Sequence, residues 1–271
     1  MKKVIAVQIT GETDLFYIVG SPVRHFRSPG LFTAQFAAKG RDAVAAPLHV
    51  LPQDLPAALE FVRRTDNIKG LCMTIPHKIA AAALVDQRTP AAERTGSVNF
   101  IRRESDGTLT GHNIDGEGFM RGLVGTGFDP AGAKVIQIGS GGVGRAIAFS
   151  LAAAGIASLT LINRNVEKAA TLAAEVEAAT GVPCRALAAD EAAPLAEADL
   201  VVNATSLGMG GEGGSPLALA GLRSSATVAD VVISATDTPF TAEARALGCR
   251  VMQGGAMLAP QIELCEEFLY G

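Results

Sequence analysis

The 271-residue chain has only four cysteines, at positions 72, 184, 249 and 265, and no two of them form a Cys-x-x-Cys pair. That spacing excludes a disulfide framework and the usual zinc clusters, and it fits reduced thiols in the cytoplasm. Histidine is as scarce. His25, His49, His77 and His112 lack metal-ligand spacing, so no metal is expected. Nowhere do about 18 apolar residues run uninterrupted, so no membrane span is expected. The N-terminal stretch carries two lysines but too short an apolar run for a signal peptide. An excess of basic charge is also missing: the net charge is −4, which argues against a nucleic-acid or anionic-membrane surface. Charged residues make up 18% and hydrophobic ones 48%, the balance of a globular chain long enough for two cores. Apart from enrichment in alanine there is no low-complexity segment, and there is no internal repeat.

What stands out is Lys134-Val-Ile-Gln-Ile-Gly-Ser-Gly-Gly-Val-Gly-Arg-Ala146. An apolar strand pattern runs into Gly139, Gly141, Gly142 and Gly144, and an alanine-rich helical run follows. Glycine lets the backbone turn tightly and approach a pyrophosphate, and the next helix aims its free N–H groups at that anion. A second strand ends about 20–25 residues on, as a dinucleotide fold requires. An NAD site of this kind usually has an acidic residue at the end of that strand. Here the position reads Asn163-Arg164-Asn165, with Lys168 one turn on. Arginine accommodates a 2′-phosphate that a carboxylate would repel, so the sequence favours NADP over NAD.

Alternating strand and helix signals predict an α/β fold of two domains. In the first, strands are expected at 15–19, 44–50 and 70–74. Helices open at Ser28-Pro29, with Ser28 as the cap, at Asp54 and at Pro76, and a hairpin turns at Asp106-Gly107. A helix at 115–123 and a loop at 125–132 rich in glycine and proline read as the hinge. In the second domain, strands are expected at 135–138, 159–162, Leu200–Asn203, Thr227–Asp230 and 250–253, with helices between them such as Val166–Thr180 and 239–247. That alternation implies a mostly parallel sheet covered on both faces. A last helix, 258–270, is expected to pack back on the first domain. The expected architecture is an α/β substrate-binding domain, residues 1–122 with 257–271, and a Rossmann domain, residues 123–256. The pocket is expected in the cleft between them, at the carboxyl ends of the strands. Phe32, Phe36 and Phe61, at helical spacing, are expected in the core.

Two further residues carry chemistry. Lys78, in Gly70-Leu-Cys-Met-Thr-Ile-Pro-His-Lys, falls in the first turn of a helix directly after a strand. The helix dipole disfavours a cation there and tends to lower its pKa, which suits a base working near neutral pH. Asp115, in Gly111-His-Asn-Ile-Asp-Gly-Glu-Gly, also sits at a helix start. A Lys/Asp pair facing a nicotinamide suits removal of a hydroxyl proton as hydride leaves carbon. A surface lysine and an N-capping aspartate are the plain alternatives. His25 and His77 are further acid–base candidates, while His49 and His112 read as structural.

These segments occur in order with Ile18-Val-Gly-Ser-Pro-Val-Arg-His-Phe-Arg-Ser-Pro, Gly96-Ser-Val-Asn, Asn113-Ile-Asp-Gly, Asn203-Ala-Thr-Ser, Thr238-Pro and Gly254-Gly-Ala-Met-Leu-Ala-Pro-Gln. Together they make the chain resemble the shikimate dehydrogenase family over nearly its whole length. The resemblance implies that Lys78 and Asp115 are the catalytic pair. It implies that Thr74, Asn99 and Gln261 bond ring hydroxyls and that Ser28, which would also cap its helix, binds a carboxylate. Gly139, Ser140, Gly141, Gly142, Val143 and Gly144 would hold the pyrophosphate. Asn163, Arg164 and Lys168 would hold the adenosine 2′-phosphate, and Ala204, Thr205, Ser206 and Gly254 would flank the nicotinamide. The implied activity is reversible hydride transfer between NADP and a hydroxyl of shikimate or a related cyclic hydroxy acid. The implied setting is cytoplasmic, in the biosynthesis of chorismate and the aromatic amino acids; a homodimer is compatible with it.

Four positions depart from the family's pattern. Phe26 replaces the first serine of Ser-x-Ser-Pro, Cys72 an asparagine, Ile114 a threonine and Ile233 a tyrosine. Each change removes a polar contact, and a hydrogen bond to a charged group contributes about 1.5–3 kcal/mol. The chain therefore reads as a divergent member of the family, with Phe26 and Ile233 lining the substrate pocket. Quinate or an amino analogue of shikimate is the alternative substrate. The rival of another class is an NADP-binding regulatory protein without catalysis.

Overall fold

The computed structural model describes residues 8–24, 26–211 and 213–271. The described residues up to Ile114, with Ile262–Gly271, form one compact unit; Asp115–Gln261 form the other. His25, an acid–base candidate in the sequence, lies outside the described residues.

The first unit is built on a mixed six-stranded sheet of β1 (Asp14–Gly20), β2 (Ala43–His49), β3 (Ile68–Met73), β4 (Gln87–Arg88), β5 (Phe100–Arg103) and β6 (Leu109–His112), in the order β2-β1-β3-β5-β6-β4. β1 lies parallel to β2 and β3, while β5 runs antiparallel to β3 and β6. The β5–β6 hairpin turns where expected: Asp106 accepts the Thr108 N–H, and Gly107 takes φ +89°. Among the described residues the unit also holds α1 (Ser28–Ala38), α2 (Leu55–Arg63), α3 (Lys78–Leu84) and α4 (Pro90–Thr95), together with the second half of the chain's last helix, from residue 262 on. Leu55, Leu59 and Val62 recur at helical spacing and form the buried stripe of α2. Phe61 falls off that stripe and is 60% exposed, so it does not belong to the core with Phe32 and Phe36. Those two pack with Phe16 and Phe100, ring centroids 5.2–6.3 Å apart.

Two helix starts differ from the sequence reading. The cap of α1 is Arg27, which makes no side-chain cap bond, so Ser28 is the first helical residue rather than the cap. α3 begins at Lys78 and not at Pro76. The His77 N–H closes a separate turn on the Thr74 carbonyl, and His77 then caps the helix.

The second unit holds α5 (Asp115–Gly125), β7 (Lys134–Ile138), α6 (Gly142–Ala153), β8 (Ser158–Asn163), α7 (Val166–Thr180), β9 (Cys184–Ala188), β10 (Leu200–Asn203), β11 (Thr227–Asp230), α8 (Pro239–Ala246), β12 (Arg250–Met252) and the first half of α9 (Gly254–Tyr270). All six strands run parallel, in the order β12-β11-β10-β7-β8-β9. The chain leaves β7 first to one side and later to the other, the switch point of a doubly wound sheet. Among the described residues only 3-10 turns connect β9 to β10 and β10 to β11, the second in place of the helix expected between those two strands. Pro194 interrupts the first segment, and Pro216 with several glycines the second.

α5 belongs to this second unit, so the division falls after Ile114 rather than after residue 122. Glycines allow the packing that puts it there. A Cβ on Gly116 would lie 2.6 Å from the Ala146 carbonyl of α6, and one on Gly122 would lie 2.7 Å from the Ala256 carbonyl of α9. Phe119 and Leu123 on α5 are buried in the same core. The later division likewise falls after Gln261 rather than after residue 256, because Gln261 meets α5: a Cβ on Gly118 would lie 2.5 Å from its Cγ.

Candidate active site

In the first unit, the carboxyl ends of β1 and β3 bring several candidates together. Thr74 follows β3, and its N–H bonds the Val19 carbonyl at 2.9 Å. A Cβ on Gly20 would lie 2.6 Å from Cζ of Phe26 and 2.8 Å from Cγ2 of Thr74, so glycine is what lets that ring and that methyl close over β1. Asn99 is buried; its carbonyl accepts the Met73 N–H at 2.7 Å, and its side-chain oxygen accepts the Ile114 N–H at 3.0 Å. Lys78 is half-buried, and its carbonyl accepts the Val98 N–H at 2.8 Å. Thr74, Lys78 and Asn99 thus share one edge of the unit. Ser28 is half-buried at the start of α1.

The histidines here have structural partners. His77 is buried, and its Nε2 donates to the Val50 carbonyl at 2.9 Å. His112 meets the Thr89 hydroxyl at 2.7 Å and packs on Phe268. Exposed His49 meets the Ser21 hydroxyl at 2.9 Å. Cys72 is half-buried within β3 between Ile18 and Phe100, and Ile114 is buried.

In the second unit, Asp115 opens α5 with 2% of its surface exposed and accepts the Gln261 side-chain amide at 3.1 Å. Burial of an acid at a helix N-terminus is compensated by the helix dipole and by donors such as this amide. The glycine turn follows β7. Gly139 takes φ +104°, and a Cβ there would lie 2.8 Å from the Ala204 carbonyl and from Cγ2 of Thr205. The candidate nicotinamide segment therefore lies directly beside the turn. On Gly144 a Cβ would come within 2.3 Å of the Gly139 carbonyl. Gly141 caps α6, and a Cβ there would meet nothing within 4 Å. The Ser140 hydroxyl is buried and has no hydrogen-bond partner among the described residues. Open space at a helix N-terminus beside an orphaned hydroxyl is a cradle suited to a pyrophosphate.

Beyond β8, Asn163 donates to the Asn165 carbonyl and Asn165 caps α7, leaving Arg164 and Lys168 exposed. A buried network organises the next two strand ends. Asp230 accepts from Asn203 at 2.9 Å, from the Val232 N–H at 2.9 Å and from the Thr238 hydroxyl at 2.6 Å. Burial pushes the Asp230 carboxyl above its usual range, and those three donors pull against the rise. Gly254 packs against this loop, where a Cβ would lie 2.5 Å from the Val232 carbonyl. Ile233, a substrate-pocket candidate in the sequence, is 57% exposed three residues past Asp230. The sequence reading missed Gln137, which is wholly buried in β7 and donates to the Gly139 and Gly144 carbonyls. A polar residue inside an apolar strand was its only signal.

Residues 18–101 match the family model described as shikimate dehydrogenase substrate binding domain, and residues 126–210 match that described as shikimate / quinate 5-dehydrogenase. A shikimate dehydrogenase (NADP(+)) of Moorella thermoacetica is 41% identical over 260 residues, 94% of this chain and 87% of that one. The chain belongs to the shikimate dehydrogenase family. Among solved structures of similar fold, the shikimate 5-dehydrogenase of Thermus thermophilus, in complex with NADP(H) and shikimate, is 32% identical with a TM-score of 0.84, covering 96% of this chain and 94% of that one. The ligand-free 5-ketofructose reductase of a Gluconobacter species is also 32% identical, with a TM-score of 0.85, covering 96% and 93%. The family's two-domain α/β architecture is the one seen here. Among the described residues, no group of acidic, histidine and cysteine side chains is placed to hold a metal ion, and no helix is long and apolar enough to cross a membrane. A hollow of about 370 Å³ at the opposite edge of the second sheet, by Lys134, Ser158 and Arg185, holds none of the family's candidate residues.

Proposed function

We propose that this member of the family is an NADP-dependent dehydrogenase that moves a hydride reversibly between NADP and a hydroxyl of shikimate or a related cyclic hydroxy acid. The observation that carries the reading is the cradle after β7: the positive φ at Gly139, the open side of Gly141 and the unpartnered Ser140 hydroxyl suit a pyrophosphate. Gly142 and Val143 continue that cradle, and Ala204, Thr205, Ser206 and Gly254 form the nicotinamide side. The strand beside it ends on Asn163 rather than an acid, with Arg164 and Lys168 exposed beyond it, which suits a 2′-phosphate. NADP, when bound, supplies the carbon that accepts or gives the hydride.

The chain's own residues supply the rest. Lys78 removes the proton from the reacting hydroxyl during oxidation and returns it during reduction. Asp115 orients the lysine and that hydroxyl. Thr74, Asn99 and Gln261 bond the remaining hydroxyls, and Ser28 binds the carboxylate. The unit ending at Ile114 holds the substrate, and the unit from Asp115 to Gln261 holds the cofactor. The enzyme works in the cytoplasm, as its reduced cysteines suit.

A second substrate is favoured by one observation. Phe26 sets an aromatic ring against Thr74 where the family resemblance places a serine, which removes a donor for the ring carboxylate. A keto sugar, which has no carboxylate to be held there, then competes with shikimate as substrate, whereas quinate and an amino analogue carry the same carboxylate and gain nothing from the change. A dehydrogenase screen over these compounds with NADP and NAD tests the reading. Lys78→Ala should cut turnover about 10²–10⁴-fold, the usual range for losing a general acid–base, while NADP binding is kept. Unchanged turnover would remove Lys78 from the mechanism, and wild-type inactivity on the whole panel would remove the enzymatic reading.

A further inference from the structure

We propose that Gln137 is a positioning residue for the cofactor turn, its side-chain amide setting the spacing between Gly139 and Gly144. The proposal rests on the NADP reading of that turn. β7 is otherwise apolar along its buried length: Val135, Ile136 and Ile138 surround the glutamine in sequence. A primary amide in the middle of a parallel sheet is costly unless its polar atoms are used. Nε2 of Gln137 uses both hydrogens, donating at 2.9 Å to the carbonyl of Gly139 and at 2.9 Å to that of Gly144. Its Oε1 has no partner among the described residues. Turning the amide over would aim that oxygen at two carbonyl oxygens, so repulsion fixes the orientation.

The two carbonyls belong to the two halves of the cradle. Gly139 opens the turn with its positive φ, and Gly144 lies in the first turn of α6. They approach so closely that a Cβ on Gly144 would lie 2.3 Å from the Gly139 oxygen and 3.1 Å from Nε2 of Gln137. The amide therefore clamps the turn to the helix from below. The N–H groups at the start of α6, which would face the anion of a bound NADP, take their spacing from that clamp. Gln137 is wholly buried beneath the turn, so it acts through the glycines.

The test compares wild type with Gln137→Met, which keeps the length and loses both donors. NADP affinity is measured by titration, steady-state constants for NADP and shikimate are determined, and amide exchange is followed by mass spectrometry. The Kd for NADP should rise about tenfold, the size of one net hydrogen bond, while kcat at saturating NADP and the KM for shikimate stay put. Exchange should quicken at residues 139–145 and nowhere in β8 or α7. Wild-type affinity together with wild-type exchange would overturn the proposal. Exchange quickened across the whole unit would overturn it too, because the glutamine would then be ordinary packing. Should the methionine variant fail to fold, Gln137→Asn, one methylene shorter and unable to reach both carbonyls, carries the same measurements. Should wild type itself bind no NADP, the cofactor reading fails, and the exchange comparison alone decides the clamp.

Discussion

Asp230 offers a sharp test of how the second unit holds its loops. Its buried carboxylate accepts three hydrogen bonds, from the Asn203 amide, the Val232 N–H and the Thr238 hydroxyl. Alanine at this position removes both acceptor oxygens and with them all three bonds. Asn203 still donates to the Leu207 carbonyl, and Thr238 still meets Thr241, so only the Val232 N–H loses its one side-chain partner outright. An orphaned buried group costs about 1–3 kcal/mol, and the small cavity adds to it, so Asp230→Ala should destabilise by about 2–4 kcal/mol. Asparagine behaves differently. One oxygen still serves Asn203 and Val232, and the new amide nitrogen faces the Thr238 hydroxyl, which has lone pairs to accept it. Asp230→Asn should therefore cost less than about 1 kcal/mol at low pH.

The dependence on pH separates the two effects. Burial raises the Asp230 carboxyl above its ordinary value of 3.8, so the folded state holds that proton more tightly than the unfolded chain. Wild-type stability is then greatest with Asp230 protonated and declines as pH rises through the raised value. Asp230→Asn has no proton to lose. Urea unfolding from about pH 4 to about pH 7 should show the asparagine variant gaining on wild type as pH rises, and then level off. A constant gap across that range would refute the burial argument. Asparagine as damaging as alanine would refute the account of the network.

Three further perturbations follow from the same geometry. Gly144→Ala should lower stability by about 1–3 kcal/mol, because its Cβ collides with the Gly139 carbonyl; Gly141→Ala, whose Cβ meets nothing, should keep the melting temperature and weaken NADP binding in a titration. Arg164→Ala should raise the KM for NADP about tenfold and leave that for NAD unchanged, which dual-cofactor kinetics would read directly. Phe36→Ala should cost about 3–5 kcal/mol in chemical denaturation, whereas Phe61→Ser should fall within about 0.5 kcal/mol of wild type.

Legibility in the sequence tracked how local the determinants are. Leu200–Asn203 and Thr227–Asp230 read to the residue, because a continuous apolar run stops at a polar side chain. Val166–Thr180 did so as well: Asn165 caps it and Gly181 ends it in the left-handed region. β9 escaped notice because Cys-Arg-Ala-Leu-Ala has no β-branched residue and sits half-buried at a sheet edge. α9 starts at Gly254, earlier than read, because two glycines and an internal Pro260 look like breakers, and only packing against α5 overrides them. The candidate residues stood out as motifs. Gln137 and Asp230 did not, since their roles depend on carbonyls and hydroxyls that tertiary structure alone brings within reach.

Those two residues belong to a wider pattern at the carboxyl edge of the parallel sheet. β8, β10 and β11 end on Asn163, Asn203 and Asp230, and each of these reaches the backbone two residues ahead. Asn163 donates to the Asn165 carbonyl, Asn203 accepts the Thr205 N–H, and Asp230 accepts the Val232 N–H. A short polar side chain used in this way imitates a backbone turn and stops the strand from continuing. β7 differs because its turn is glycine, with no side chain to hold it, and the equivalent bond comes from Gln137, one residue before the strand's end. Thus the loops after β7, β8 and β10, which the family resemblance assigns to NADP, are each tied to their own strand by the chain's own side chains, as is the loop after β11. Such loops lose little further entropy on binding, so affinity at this edge depends on the ties as much as on the groups that touch the nucleotide. Cutting one tie should weaken the cofactor locally and leave the sheet intact, whereas changing an apolar strand residue such as Val201 or Val228 should unfold both together.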